Sequence, residues 1–177
     1  MAATKELIKR IRLTASAASI TFYNIPQDFD GLELVYSLRS NRTTAPIDTV
    51  RARFNGVTTG YSYRALEGTG SSVSSFSSTS FNAGACATDS CTANTFGSGR
   101  LFIPNYAGST AKSGSADAVS ESNATGANQF MTASLSTATA AILSIEIAPE
   151  TGTLFNAYGS AALYGWKKGS DGTTTVS

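Results

Sequence analysis

Apolar and polar residues alternate with a period of two over much of this chain, and that period places one class of side chain on each face of an extended strand. In LELVYSLRS, Leu32, Leu34, Tyr36 and Leu38 share one face, with Glu33, Ser37 and Arg39 mostly on the other. In VRARF, Val50, Ala52 and Phe54 point in while Arg51 and Arg53 point out, and AAILSIEIAP repeats the pattern with Leu143, Ile145 and Ile147 against Ser144 and Glu146. Helical spacing of apolar residues is nearly absent. Turn formers punctuate the runs at Pro26 to Gly31, Asn41 to Pro46, Asn55-Gly56, Gly68 to Ser72, Pro104 to Gly108 and Pro149 to Gly152. Asn-Gly is the sharpest of these, because both residues tolerate positive φ.

The pattern predicts strands near 8–14, 18–24, 31–40, 47–54, 61–67, 73–81, 99–104, 115–122, 128–135, 140–148 and 155–166. Short strands at this spacing predict an all-β fold: an antiparallel β-sandwich, jelly-roll-like, with a short N-terminal arm. Residues 1–17 read as that arm or as a first strand, 18–168 as a single sandwich domain and 169–177 as a flexible C-terminal tail. The Ser/Gly-rich stretch 68–99 is expected to be an ordered excursion over the surface, anchored by Val73, Phe76 and Phe81.

Charged residues make up 14% of the 177 positions, against about 25% in an ordinary domain, and Ser with Thr fills roughly a quarter. Short hydroxyl side chains lose little rotamer entropy when a neighbour covers them, so such a surface favours packing against other proteins. The formal charge of +1 supplies no field to attract nucleic acid, and direct nucleic-acid binding is not expected. No stretch approaches the ~18 apolar residues of a membrane span, and the first residues lack the apolar core of a secretory signal. The expectation is a soluble protein made in a cytoplasm.

There is no histidine. That removes Ser-His and Cys-His nucleophiles, histidine-bearing zinc sites and most acid/base schemes near neutral pH. Asp28 and Asp30 in PQDFDG are the best carboxylate pair, but they read as turn formers, since no further oxygen donors follow at calcium-loop spacing. Glu146 and Glu150 have no evident partner. No phosphate-cradling loop is present, for EGTGSS lacks the lysine and the strand-to-helix setting. The chain is therefore expected to be non-enzymatic, with no catalytic residue, metal or cofactor. Cys86 and Cys91 in CATDSC read either as a local disulfide closing a six-residue loop or as two free, partly buried thiols. Tyr61, Tyr63 and Trp166 are candidates for stacking on sugars, although such rings are more often core or interface residues.

The succession SITFYNIPQDFDGLELVYSLRSN, VRARFNG, YSYRALEGTGSS and SAALYGWK resembles a group of small β-rich virion structural proteins of tailed bacteriophages, over about Ile20 to Lys167. The resemblance implies a jelly-roll-like homo-oligomer, with a trimer favoured, located in the virion. A capsid cement or decoration protein that binds the major capsid protein and stabilises the head shell is the first form implied. A tail-fibre or receptor-binding, carbohydrate-binding module is the alternative. A chain without heptads or repeats is a poor fibre stalk, which favours decoration. In that role the N-terminal arm is expected to reach the shell, with Leu7, Ile8, Ile11 and Leu13 as apolar anchors beside Lys9, Arg10 and Arg12.

Overall fold

A computed structural model describes residues 5–122 and 126–167. Twelve strands are present among them and no helix: β1 (Lys5–Arg12), β2 (Ile20–Phe22), β3 (Gly31–Ser40), β4 (Ile47–Phe54), β5 (Tyr61–Gly68), β6 (Val73–Ser78), β7 (Phe81–Thr88), β8 (Gly97–Pro104), β9 (Lys112–Glu121), β10 (Ala127–Ser136), β11 (Ile145–Pro149) and β12 (Ser160–Trp166). They form two layers. The wide layer runs β1-β12-β3-β8-β9-β10-β5-β6, antiparallel throughout. The narrow layer runs β2-β11-β4-β7, also antiparallel. The end of β3 crosses from one layer to the other, where Arg39 and Ser40 pair in parallel with Ala87 and Thr88 of β7. The fold is all-β and sandwich-like, with this one parallel contact.

The core lies between the layers. Leu32, Leu34, Tyr36 and Leu38 of β3 point into it as the alternation predicts, and so do Val50, Ala52 and Phe54 of β4. Phe54, Tyr61 and Phe81 meet edge to face, Phe54 and Phe81 with ring centres 4.7 Å apart. Asn55 and Gly56 both adopt positive φ, at 52° and 72°, and end β4 as the dipeptide predicts.

Two expectations are corrected. Residues 68–99 are not a surface excursion: they hold edge strand β6 and then β7, whose eight residues are all buried. The reason is composition, because FNAGACAT carries small side chains that fit where both faces of a strand are covered. Leu143 does not face the core but is 55% exposed, since β11 begins only at Ile145. Of the two readings of residues 1–17, an arm or a first strand, the strand is the one present: residues 5–12 pair along β12 at the edge of the wide layer, with Ile8, Ile11 and Leu13 packed against the chain's own core. The tail expected at 169–177 lies outside the described residues.

Candidate interaction surface

The outer face of the wide layer carries apolar side chains that nothing among the described residues covers. On β10 the alternation buries Phe130, Thr132 and Ser134 and exposes Gln129, Met131, Ala133 and Leu135. Met131 lies between Leu66 of β5 and Asp117 of β9, Ala133 between Arg64 and Ser115, and Gln129 between Gly68 and Val119. Met131 is 59% exposed, Leu66 49% and Val119 46%. The layer is concave here, forming a trough of about 760 Å3 walled by Arg64, Leu66, Ser75, Ser77, Asp117 and Met131. Arg64 donates only to the Tyr63 carbonyl, at 3.0 Å, and among the described residues neither Arg64 nor Asp117 forms an ion pair. Apolar residues with two unpaired rim charges make a surface suited to another protein.

The other half of the same face is organised by Glu33, buried although it points outward from β3. Its carboxylate pairs with Lys5 at 2.6 Å and with Arg100, and accepts the Trp166 indole N–H at 3.0 Å. Lys5 reaches it across the Tyr164 ring, its ammonium 4.3 Å from the ring centre, and Trp166 stands edge-on to Phe102 at 6.3 Å. Burial raises the Glu33 pKa, but the hydrogen bond and charge of Lys5, the charge of Arg100 and the indole N–H outweigh it and hold the carboxyl below the ordinary glutamate range. The group is an ionised hub that clamps β1, β12 and β8 to β3.

The remaining residues singled out in the sequence fall as follows. Tyr61 and Tyr63 are core residues, and neither presents a ring for stacking. The Tyr61 hydroxyl accepts the Phe54 N–H at 3.0 Å and donates to the Val57 carbonyl at 3.1 Å. Asp28 and Asp30 lie exposed on the turn before β3, stitched down by the Asp30 N–H to the Trp166 carbonyl and the Asn105 N–H to the Asp30 carbonyl, each 2.9 Å. Glu146 and Glu150 pair with Arg53 and Arg51, at 3.7 and 3.5 Å. Cys86 and Cys91 are both buried free thiols, and the Cys91 thiol donates to the Pro46 carbonyl at 2.8 Å. Burial pushes the Cys86 thiol far up. Of the arm residues, Leu7, Lys9, Arg10 and Arg12 are exposed on the outer strand of the layer.

Besides Glu33, three further buried ionic groups escape sequence reasoning. Arg39 was expected to face outward. It is buried and donates to Asp89 and to the carbonyls of Cys91, Thr92 and Thr95, which orders the 89–96 loop. Asp48 accepts from Ser40, Thr151 and Gly152. Lys112, 2% exposed, gives its ammonium to the carbonyls of Gly108, Thr110 and Thr139. Among the described residues no group of three or more His, Cys, Asp or Glu side chains is placed to hold a metal ion. No protein-family model, curated protein or solved structure matches this chain.

Proposed function

We propose that this protein is a non-enzymatic structural subunit of a phage particle, a cement or decoration protein that grips the head shell through the outer face of its wide layer. The observation that carries the reading is the uncovered apolar strip of Leu66, Val119, Met131 and Leu135, each more than two-fifths exposed on strands held rigidly from both sides. A surface poor in charge and rich in Ser and Thr suits permanent burial against neighbours. The ionic groups drawn inside, Glu33, Arg39, Asp48 and Lys112, are all engaged in bonds that fix strands and loops. The particle itself, and the capsid protein as partner, follow from the resemblance of the motifs between Ile20 and Lys167.

The test is co-sedimentation of the purified protein with empty shells of the major capsid protein of the same phage. The wild type should pellet with the shells, and Leu66→Glu/Met131→Glu should stay in the supernatant with an unchanged all-β circular-dichroism spectrum. A wild type that never pellets removes the head assignment. A double variant that pellets normally removes the surface assignment. Deleting residues 1–13 is a poor test of an arm, because it strips β1 from the layer.

A further inference from the structure

Sheet edges expose unpaired N–H and C=O groups, and proteins usually blunt them with charge, proline, bulges or brevity. Among the described residues the two layers have four edge strands, and three are protected. β7 is buried along its whole length and its end pairs with β3; β1 carries Lys5, Glu6, Lys9, Arg10 and Arg12 and a register break between Leu7 and Lys9; β2 is three residues long. The fourth edge, β6, has none of these protections. Its sequence VSSFSS has no charge and no proline, and it pairs with β5 without irregularity over all six residues.

The space on both sides of β6 is also incomplete. Phe76 points inward onto Phe130, Ala85 and Ala118 and stands edge-on to Tyr63 at 6.1 Å, yet remains half-buried. Beside it the two layers part around a cleft of about 400 Å3 lined by Ile47, Thr49, Phe76 and Phe130, with one charge of each sign, Arg42 and Glu67, also on its wall. On the outer face, Val73 is 75% exposed and adjoins the trough of Leu66 and Met131.

We infer that β6 pairs antiparallel with β6 of a second copy of this chain, about a two-fold axis through Phe76. The inference goes beyond the shell-binding reading and does not depend on it. Directly opposed residues of an antiparallel pair must share a face, so with Phe76 on the axis Ser75 opposes Ser77 of the other copy, and the two Phe76 rings meet over the open clefts. Centring the axis on Ser75 would instead oppose Phe76 to Ser74 and leave the ring half-covered.

Charge selects a second copy as the occupant. Self-pairing of a strand by a two-fold places every charge near its own like, which at β1 would crowd Lys9, Arg10 and Arg12 together. At β6 there is no charge to oppose, and a formal charge of +1 gives little repulsion between whole chains. The contact is self-complementary and closed, and it sets a two-fold where the resemblance implies a trimer.

Gel filtration with light scattering across a hundredfold concentration range tests the inference. Wild type should show twice the chain mass, separating on dilution; a monomer or a trimer at the highest concentration overturns the inference. Ser75→Lys/Ser77→Lys opposes lysine to lysine and should weaken the dimer at least tenfold, whereas Ser75→Lys/Ser77→Glu opposes lysine to glutamate and should keep it. Both serines are exposed, so both variants should keep the wild-type circular-dichroism spectrum. A lysine pair that leaves the dimer intact overturns the surface, and a lysine-glutamate pair that dissociates it overturns the register. Should a variant fail to fold, the wild-type mass decides.

Discussion

Tyr36 lies across the backbone of Gly99, its cross-strand neighbour, and its hydroxyl reaches the carbonyls of Ala83 and Ala85 in the opposite layer at 3.0 and 3.2 Å. A Cβ at Gly99 would stand 2.1 Å from the ring. The ring cannot retreat, because its far end is held by the hydroxyl bonds and by Gly84, whose own Cβ would stand 2.5 Å from the hydroxyl. Gly99→Ala should therefore cost about 3 kcal/mol, and Tyr36→Phe about 1–2 kcal/mol for its orphaned carbonyls. Urea unfolding measures both. A Gly99→Ala protein as stable as wild type would mean that the layers are not locked here.

The Glu33 hub makes stability depend on pH. Its folded pKa is depressed, so the contribution is complete above the ordinary carboxylate range and is lost as the pH falls through the folded value. Glu33→Gln should lower stability at pH 7 by about 2 kcal/mol, less than the 3–5 of a fully buried pair, because Arg100 is half-exposed and can turn to water. The melting temperatures of variant and wild type should converge as the pH falls below about 4. A gap that stays constant down to acid pH would count against the hub.

Lys112 ties the loop after β8 to the segment after β10 through three carbonyls. Lys112→Met fills the same space without a donor and should cost about 2–3 kcal/mol. Limited proteolysis should then cut first within 105–111 or 137–141; cleavage confined to other loops would contradict the tie.

The two thiols give a simple chemical readout. Both are buried, and burial keeps Cys86 protonated, so a thiol reagent such as DTNB should find neither in the native protein and two in urea without reductant. Zero in urea would mean a disulfide between Cys86 and Cys91.

Much of the framework was legible in the sequence. β3 and β4 fall at 31–40 and 47–54 as predicted, because strong alternation is bounded there by strong turn formers. β7 escaped detection because small residues buried on both faces show no alternation. The outer strip left a fainter trace, because the inward face of β10 is mostly polar, with Asn128, Thr132, Ser134 and Ser136 around Phe130, so that the apolar Met131 and Leu135 fall on the face turned to solvent. The Glu33 hub left none, since Trp166 lies 133 residues from Glu33 and only the pairing of the strands brings them together.

The first strand is placed beside the last. Among the described residues β1 pairs only with β12, and β12 fills the gap between β1 and β3. While the ribosome is still short of residue 160, β1 has nothing to zip onto and one side of β3 stays bare. Completion of this layer must therefore follow synthesis through Trp166, and nascent chains halted before that point carry the exposed β3 edge as an aggregation hazard.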